Sequence, residues 1–303
     1  MAKSLAAYFL CAGYGLRLRP LTDRLPKPAL TFQGRTALEI NVRKVQALYP
    51  ERYLCNTHHL YEELEKPALR LGLQMLYEKD ILGTAGCLWN ARHLLSPTDH
   101  FLVYNGDLIH SIDLEDLLRR HEASGRIGTL AGIFHPIHNT LRCDGEGTLV
   151  GVQGFDNFDG GPAGVAGEGL SALTFAGIAV YRREFLDFAR RGPQDIKRYW
   201  MDALKAGESL GVVDCGRAAW HDFGTPQGLW EAAKFMMEST GEFSFRYASM
   251  MGENRPYVAN EADQDDLPEA LSNVLVMEES AVPILPNTAN CIIGRDFQWR
   301  IQP

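Results

Sequence analysis

At 303 residues the chain is long enough for one large α/β domain with an extension, or for two domains of ordinary size, with a sizeable core in either case. Hydrophobic residues at 46% and charged residues at 22% exclude intrinsic disorder. Thirty Lys and Arg against thirty-eight Asp and Glu leave a formal charge of −8, which excludes a global positive field for nucleic acid or an anionic membrane, so a phosphate-bearing ligand must be met by a local cluster.

The longest purely apolar stretch, Leu5 to Ala12, falls far short of the roughly 18 residues of a membrane span, and no transmembrane helix is expected. It follows Lys3 and mimics a short signal-peptide core, but cleavage near Cys11 to Gly13 would destroy the Gly-rich loop that follows; it reads as a buried first strand. Six cysteines without a C-x-x-C pair fit neither a zinc site nor a disulfide scaffold, and a reducing cytoplasm is the expected location.

Strands are predicted at Ala6–Ala12, Arg52–Asn56, Leu73–Tyr77 and Phe101–Tyr104, with helical patterns between them, and this alternation predicts an open, mainly parallel α/β sheet flanked by helices. The first helix carries a capping box, Thr36 and Glu39, with Leu38, Val42, Val45 and Tyr49 along one face. Then come a helix from Leu114 to His121, strands at Thr129–Phe134 and Leu149–Val152, and a glycine-rich loop from Gly145 to Gly169. A strand at Leu173–Tyr181, two helical segments up to Ala206, a strand around Val212–Cys215 and a helix from Thr225 or Pro226 to Met237 complete a unit assigned to residues 1–240.

Residues 241–303 form a C-terminal extension: an acidic linker, Glu261 to Glu269, then a weak repeat with a spacing of 18 that sets Asn273, Val274 and Leu275 in phase with Cys291, Ile292 and Ile293. Eighteen residues is one turn of a hexapeptide-type left-handed β-helix, and a pair of ordinary strands matching by chance is an equal reading. A single coil must lean on other structure or on a second copy of the chain, which makes a homo-oligomer through the extension one expectation.

The chemistry-bearing motif follows the first strand: Cys11-Ala12-Gly13-Tyr14-Gly15-Leu16-Arg17-Leu18-Arg19-Pro20-Leu21-Thr22, then Leu25-Pro26-Lys27-Pro28. A glycine pair there lets backbone N–H groups approach a polyphosphate, and Arg17 and Lys27 supply charge-assisted hydrogen bonds; Arg19 reads as solvated. A dinucleotide-binding G-x-G-x-x-G fails at Leu18, and the absence of any Gly-Lys pair excludes Walker A.

This block resembles the signature of the sugar-1-phosphate nucleotidyltransferases, approximately A-G-x-G-x-R-L-x-P-L-T followed by P-K-P. Gly83-Thr84-Ala85-Gly86, Asn105-Gly106-Asp107, Phe175-Ala176-Gly177-Ile178 and His221-Asp222-Phe223-Gly224-Thr225-Pro226 follow in the family's order. The resemblance implies a Rossmann-like sheet and a reaction in which a sugar-1-phosphate oxygen attacks the α-phosphorus of a nucleoside triphosphate and releases pyrophosphate. It implies Mg²⁺ held by Asp107 and Asp222, phosphates gripped by Arg17 and Lys27, and a nucleotide bound by Ala12, Gly13, Gly15, Gly83, Thr84 and Ala85, with Thr84 also capping the helix that follows. Sugar contacts fall to Gly106, Gly177 and Glu168, the last standing in for a Glu-Lys-Pro motif that is missing after Val152; the early Glu65-Lys66-Pro67 lies on a predicted helix.

The spelling Leu82-Gly83-Thr84-Ala85-Gly86 resembles guanylyltransferases, so GTP and mannose-1-phosphate are the favoured substrates, with no nucleic-acid or membrane partner. A uridylyltransferase acting on N-acetylmuramate-1-phosphate or glucose-1-phosphate is an alternative, and so is a catalytically silent subunit that binds nucleotide sugars. His58-His59 and His135-x-x-His138 lack a completing ligand at zinc spacing and read as core or surface, as Trp220, Phe223 and Trp230 read as packing.

Overall fold

Strand β1 (Leu5–Leu10) is apolar on both faces and buried almost throughout, so it belongs in the middle of a sheet covered on both sides. The computed structural model describes residues 3–136, 139–155, 169–240, 258–260, 271–277 and 284–302. After β1 come a short hairpin, β2 (Thr31–Phe32) and β3 (Arg35–Thr36), then α1 (Ala37–Gln46), β4 (Arg52–Thr57), α2 (Tyr61–Arg70), β5 (Gln74–Tyr77), α3 (Gly83–Leu95) and β6 (His100–Asn105). Next are β7 (Leu108–His110), α4 (Leu114–Ser124), β8 (Gly128–Ile133), β9 (Leu141–Cys143), β10 (Leu149–Val152), β11 (Ser171–Arg182), α5 (Ile196–Lys205), β12 (Leu210–Asp214), β13 (Trp220–Asp222) and α6 (Pro226–Thr240). The extension holds β14 (Val258–Asn260), β15 (Ser272–Val276), β16 (Ala289–Ile293) and β17 (Gln298–Arg300).

The chain groups into two compact units, each built from separated segments: residues 1–13, 42–106 and 110–220, and residues 14–41, 107–109 and 221–303. This spatial grouping cuts across the sequence boundary at residue 240.

The first unit is a nine-stranded sheet in the order β10-β9-β11-β6-β1-β4-β5, with β8 joining β11 and β12. Its central strands β6, β1, β4 and β5 run parallel, as the alternation of strands and helices predicts. The antiparallel β11 carries the sheet onward to β8 and β9. Large aromatics fill one core: Trp200 is fully buried and donates its indole N–H to Tyr181 Oη at 2.8 Å, and Tyr181 stacks on Phe185 with ring centroids 4.1 Å apart.

Helix α1 keeps Leu38, Val42 and Val45 fully buried, and Glu39 N–H donates to Thr36 Oγ1 at 3.2 Å, one half of the expected capping box. Tyr49 corrects the predicted face: it lies beyond the helix, with φ +51° and 87% exposure. The next residue is Pro50, and a residue preceding proline is disfavoured in the helical region, so the chain turns out before Tyr49 can join the stripe.

In the second unit, Leu18, Leu21, Phe32, Ile109, Phe223, Leu229 and Trp230 share a core with Leu275 and Ile292 of the extension. Strands β14, β15 and β16 stack in parallel, and β17 returns antiparallel. Val274, Val276, Cys291 and Ile293 point to a small cluster of their own, while Leu275 and Ile292 join the cluster that contains α6 residues. This alternation is the period of two that a strand imposes.

Strands β15 and β16 pair at a spacing of 17, which corrects the spacing of 18 read from the sequence: Val274 pairs with Cys291, Leu275 with Ile292 and Val276 with Ile293. The reason lies at the corner, where Asn273 (φ +54°) and Asn290 (φ +50°) both take the left-handed conformation that asparagine tolerates, and the Asn273 amide donates to Asn290 Oδ1 at 2.8 Å.

Candidate active site

In the second unit, the loop that begins at Tyr14 folds onto itself. Gly15 has φ +64°, and a Cβ there would lie 2.7 Å from Thr22 Cγ2, so glycine is required at this turn. Its carbonyl accepts from Leu18 N–H and from Thr22 Oγ1, both at 2.8 Å. Leu18 and Leu21 are buried anchors, and Arg17, just ahead of Leu18, is exposed. Arg19 pairs with Asp23 at 3.0 Å with both side chains half exposed, a solvated pair worth little.

Lys27 opens a short helical turn closed by Ala29 N–H to Pro26 O and Leu30 N–H to Lys27 O, with prolines fixing the backbone on each side. Its ammonium forms an ion pair with Asp107 Oδ2, and both side chains are mostly buried. Asp107 follows β6, and its carbonyl accepts from Phe223 N–H at 3.2 Å, which ties the backbone beside Asp222 to Asp107.

Asp222 turns its carboxylate back to Gly224 N–H at 2.8 Å. Loss of hydration, and then the charge of Asp107, raise the Asp222 pKa above the ordinary carboxylate range, against the pull of Gly224 N–H, Lys27 and Arg17. A Cβ on Gly224 would lie 2.5 Å from Arg17 Nη2 and 2.9 Å from Asp222 Oδ1, so the guanidinium and the carboxylate converge on a position only glycine leaves open. Gly228, in the first turn of α6, has room for no Cβ either, because the Asp222 carbonyl lies against it. Arg17, Lys27, Asp107 and Asp222, four residues far apart in sequence, thus form one cluster within this unit.

The cluster offers two hard carboxylates and two cations. Among the described residues no group of three or more His, Cys, Asp and Glu could hold a metal alone. Two neighbouring carboxylates suit a divalent cation that completes its coordination with substrate phosphates.

In the first unit, Gly13 has open space where a Cβ would stand. Gly83 (φ +74°) and Gly86 are small for another reason than ligand access: a Cβ on Gly83 would lie 2.6 Å from the Gln194 carbonyl, and one on Gly86 would collide with the Gly192 carbonyl. Ala85 is fully buried and donates its N–H to Gln194 O at 3.0 Å. Thr84 corrects the expectation that it caps its own helix: its Oγ1 accepts from Ile196 N–H at 3.0 Å, at the start of α5, and no side chain caps α3. The close approach of residues 192–196 draws the hydroxyl to the neighbouring helix.

Gly106 uses its N–H to extend the ladder to Leu10 O at 2.9 Å, and Gly177 sits with φ +78° in the bulge of β11 between Phe175 and Ala179. A cavity in this unit is lined by Leu10, Thr84, Asn105, Phe175, Lys197 and Trp200, with the ends of β1 and β6 as its floor. Glu168 lies outside the described residues, as does His138. The early Glu65-Lys66-Pro67 is inside α2.

Sequence reasoning missed Asn56 and Glu78. Both are buried, and Glu78 accepts from Asn56 Nδ2 and from Leu82 N–H. A carboxylate just past a predicted strand was the only signal available. His58 contacts the Glu78 carbonyl through Nδ1 at 2.8 Å. All six cysteines are free and five are buried.

Residues 6–142 match the family model described as Nucleotidyl transferase. The chain is 37% identical over 131 residues to the mannose-1-phosphate guanylyltransferase catalytic subunit beta of Xenopus tropicalis, a match covering 41% of this chain and 36% of that protein. It is 26% identical over 239 residues to the bifunctional protein GlmU of Methanocaldococcus jannaschii, covering 77% and 54%. The chain therefore spans about a third to a half of the length of these relatives. Among solved structures, HddC from Yersinia pseudotuberculosis superposes with a TM-score of 0.60 at 15% identity over 76% of this chain and 98% of its own. A putative glucose-1-phosphate thymidylyltransferase from Bacillus anthracis does so with 0.61 at 16% identity over 81% and 98%. Over residues 6–142 the sequence is thus similar to the nucleotidyl transferase family model, and the mainly parallel, helix-flanked sheet is the fold of these solved structures.

Proposed function

We propose that the chain transfers a nucleotidyl group from a nucleoside triphosphate to a sugar-1-phosphate, releasing pyrophosphate, with GTP and mannose-1-phosphate as the favoured pair. The observation that carries this reading is the cluster of Lys27 paired to Asp107, with Arg17 and Asp222 converging on Gly224. A sugar-1-phosphate is already anionic near neutral pH, its second pKa being about 6, so no general base is needed. The catalytic task is to bring two like-charged phosphates together and to neutralise the charge that grows on the leaving pyrophosphate.

Arg17 and Lys27 are suited to that task as fixed cations, one exposed on a rigid loop and one held by flanking prolines. Asp107 and Asp222 would hold Mg²⁺, which when bound shields phosphate charge and polarises the α-phosphoryl group. Before loading, Lys27 neutralises Asp107, and Gly224 N–H keeps the Asp222 carboxylate turned inward. Gly13 and the Gly83–Ala85 segment are assigned to the nucleotide, and the cavity beside Asn105 and Lys197 to a substrate moiety. The guanylyl preference rests on the first relative, whose name states that specificity.

Pyrophosphate release, measured with GTP or UTP and each of mannose-1-phosphate, glucose-1-phosphate and N-acetylmuramate-1-phosphate, tests the proposal. Turnover that depends on Mg²⁺ with GTP and mannose-1-phosphate is expected. Turnover with UTP alone would overturn the substrate choice. No turnover with any pair, together with tight nucleotide-sugar binding, would replace catalysis by a regulatory role.

A further inference from the structure

Two backbone amides of the first unit are joined through two buried side chains that no step above uses. Cys11 N–H, at the end of β1, donates to Asn56 Oδ1 at 2.6 Å. Asn56 Nδ2 donates to Glu78 Oε1 at 2.8 Å, and Leu82 N–H, just ahead of Gly83, donates to Glu78 Oε2 at 2.9 Å. Asn56 is 3% exposed and Glu78 is 2% exposed.

The direction of every bond is forced. A backbone N–H can only donate, so the amide oxygen of Asn56 faces Cys11 and its nitrogen faces Glu78, which must accept on both oxygens. A buried carboxylate is expensive to keep unless its oxygens are met, and an apolar pair of similar volume would hold the strand ends with less desolvation. A carboxylate here is explained by what it connects, because its two oxygens link the turn after β1 to the turn before α3.

We infer that Asn56 and Glu78 are positioning residues that fix the spacing between the Cys11–Gly13 turn and the Gly83 turn, the two first-unit segments assigned above to the nucleotide. Neither side chain touches substrate in this arrangement. The bridge itself stands on geometry, and only the identity of what the two turns hold rests on the proposed function.

The test is a polarity swap. Glu78→Gln leaves an amide nitrogen facing a donor, and Asn56→Asp leaves two carboxylates facing each other, so each single variant breaks one link. In the double variant Asn56→Asp/Glu78→Gln, the aspartate accepts from Cys11 N–H and from the glutamine nitrogen, and the glutamine oxygen accepts from Leu82 N–H. All three hydrogen bonds return with the same net charge.

The singles are expected to raise KM for the nucleoside triphosphate roughly tenfold, about what one charge-assisted hydrogen bond is worth, with KM for the sugar-1-phosphate and saturating kcat changed by less than about twofold. Amide hydrogen exchange at Cys11–Gly13 and Leu82–Gly83 should quicken in the singles, and both effects should revert in the double variant. Unchanged nucleotide KM in the singles, a double variant no better than either, or exchange that does not respond would each overturn the inference. A wild-type chain without turnover would overturn the proposed function instead, and the exchange pattern would still decide the bridge.

Discussion

The two units hold themselves together by opposite means. The first is a continuous ladder of nine strands around fully buried aromatics, and its polar groups are spent on hydrogen bonds between neighbouring turns. Among its described residues the second has only short strands, and it places its Lys27–Asp107 pair and Asp222 beside an apolar cluster. Glycines reveal the difference most directly. Gly83 in the first unit is required because backbone presses on it, whereas Gly224 in the second is required because charged side chains do. Rigidity is built in one unit and charge is displayed in the other.

The largest expected effect is on the charged side of that contrast. Asp107→Ala should lower turnover by about a hundredfold or more, because the carboxylate serves phosphates and a cation, and it should also lower the melting temperature, because it leaves the mostly buried Lys27 ammonium without its partner. Rates within a few-fold of wild type, measured alongside thermal unfolding, would remove Asp107 from the site.

Next comes the apolar cluster of the same unit. Ile292 is fully buried against it, and Ile292→Ala should cost about 2–5 kcal/mol in urea unfolding, the range for large-to-small core changes. A cost under about 1 kcal/mol would mean that the extension only rests on α6 without sharing its core.

The two glycines give a paired comparison. Gly83→Ala must tolerate φ +74° and a carbonyl 2.6 Å away, so it should destabilise by about 1–3 kcal/mol. Gly224→Ala meets the movable end of Arg17, so it should leave stability nearly unchanged and lower turnover roughly tenfold by displacing the guanidinium. Interchanged outcomes, read by unfolding and by pyrophosphate release, would break the contrast between the units.

A further expected effect is a pH slope belonging to the first unit. Burial pushes His110 and His121 down to about 3, with Lys44 and His100 adding to the respective shifts. Above about pH 6.5 each is neutral in both the folded and the unfolded chain. Below that the unfolded chain takes up protons that the folded chain refuses, so stability falls as pH drops from about 6.5 towards 3, by up to ~1.4 kcal/mol per pH unit for each histidine. His121→Gln should flatten part of this slope in urea titrations between pH 7 and 4.5; an unchanged slope would assign the loss to carboxylates.

The strands, helices and parallel centre were legible because each writes a period into the chain. Leu38, Val42 and Val45 mark a helix face, and the apolar run of β1 marks a central strand. The loop from Gly13 to Lys27 was legible because phosphate-binding chemistry restricts both residue type and spacing. Tyr49 misled because its spacing fits a helix that Pro50 ends, and the coil spacing misled because two asparagine corners, which carry no hydrophobic signal, set the register. Thr84 and Asn56 act on partners distant in sequence, Glu78 joins Asn56 to the nearby Leu82 N–H, and nothing local to them states which partners they meet.

By itself, then, the sequence determined which segments are strands and helices, that a glycine- and arginine-bearing loop follows the first strand, and which four charged residues are the candidates for the proposed chemistry. Those features are local, fixed by side-chain period, backbone freedom at glycine and proline, and the charge of single residues. The tertiary structure alone decided that Lys27 pairs with Asp107, that Arg17 and Asp222 meet over Gly224, that the extension buries Leu275 and Ile292 in the cluster containing α6 residues, and that Glu78 ties two turns together. Each of these depends on contacts that no local pattern in the sequence states, and such contacts exist only once the backbone has closed and excluded the water that would otherwise compete for them.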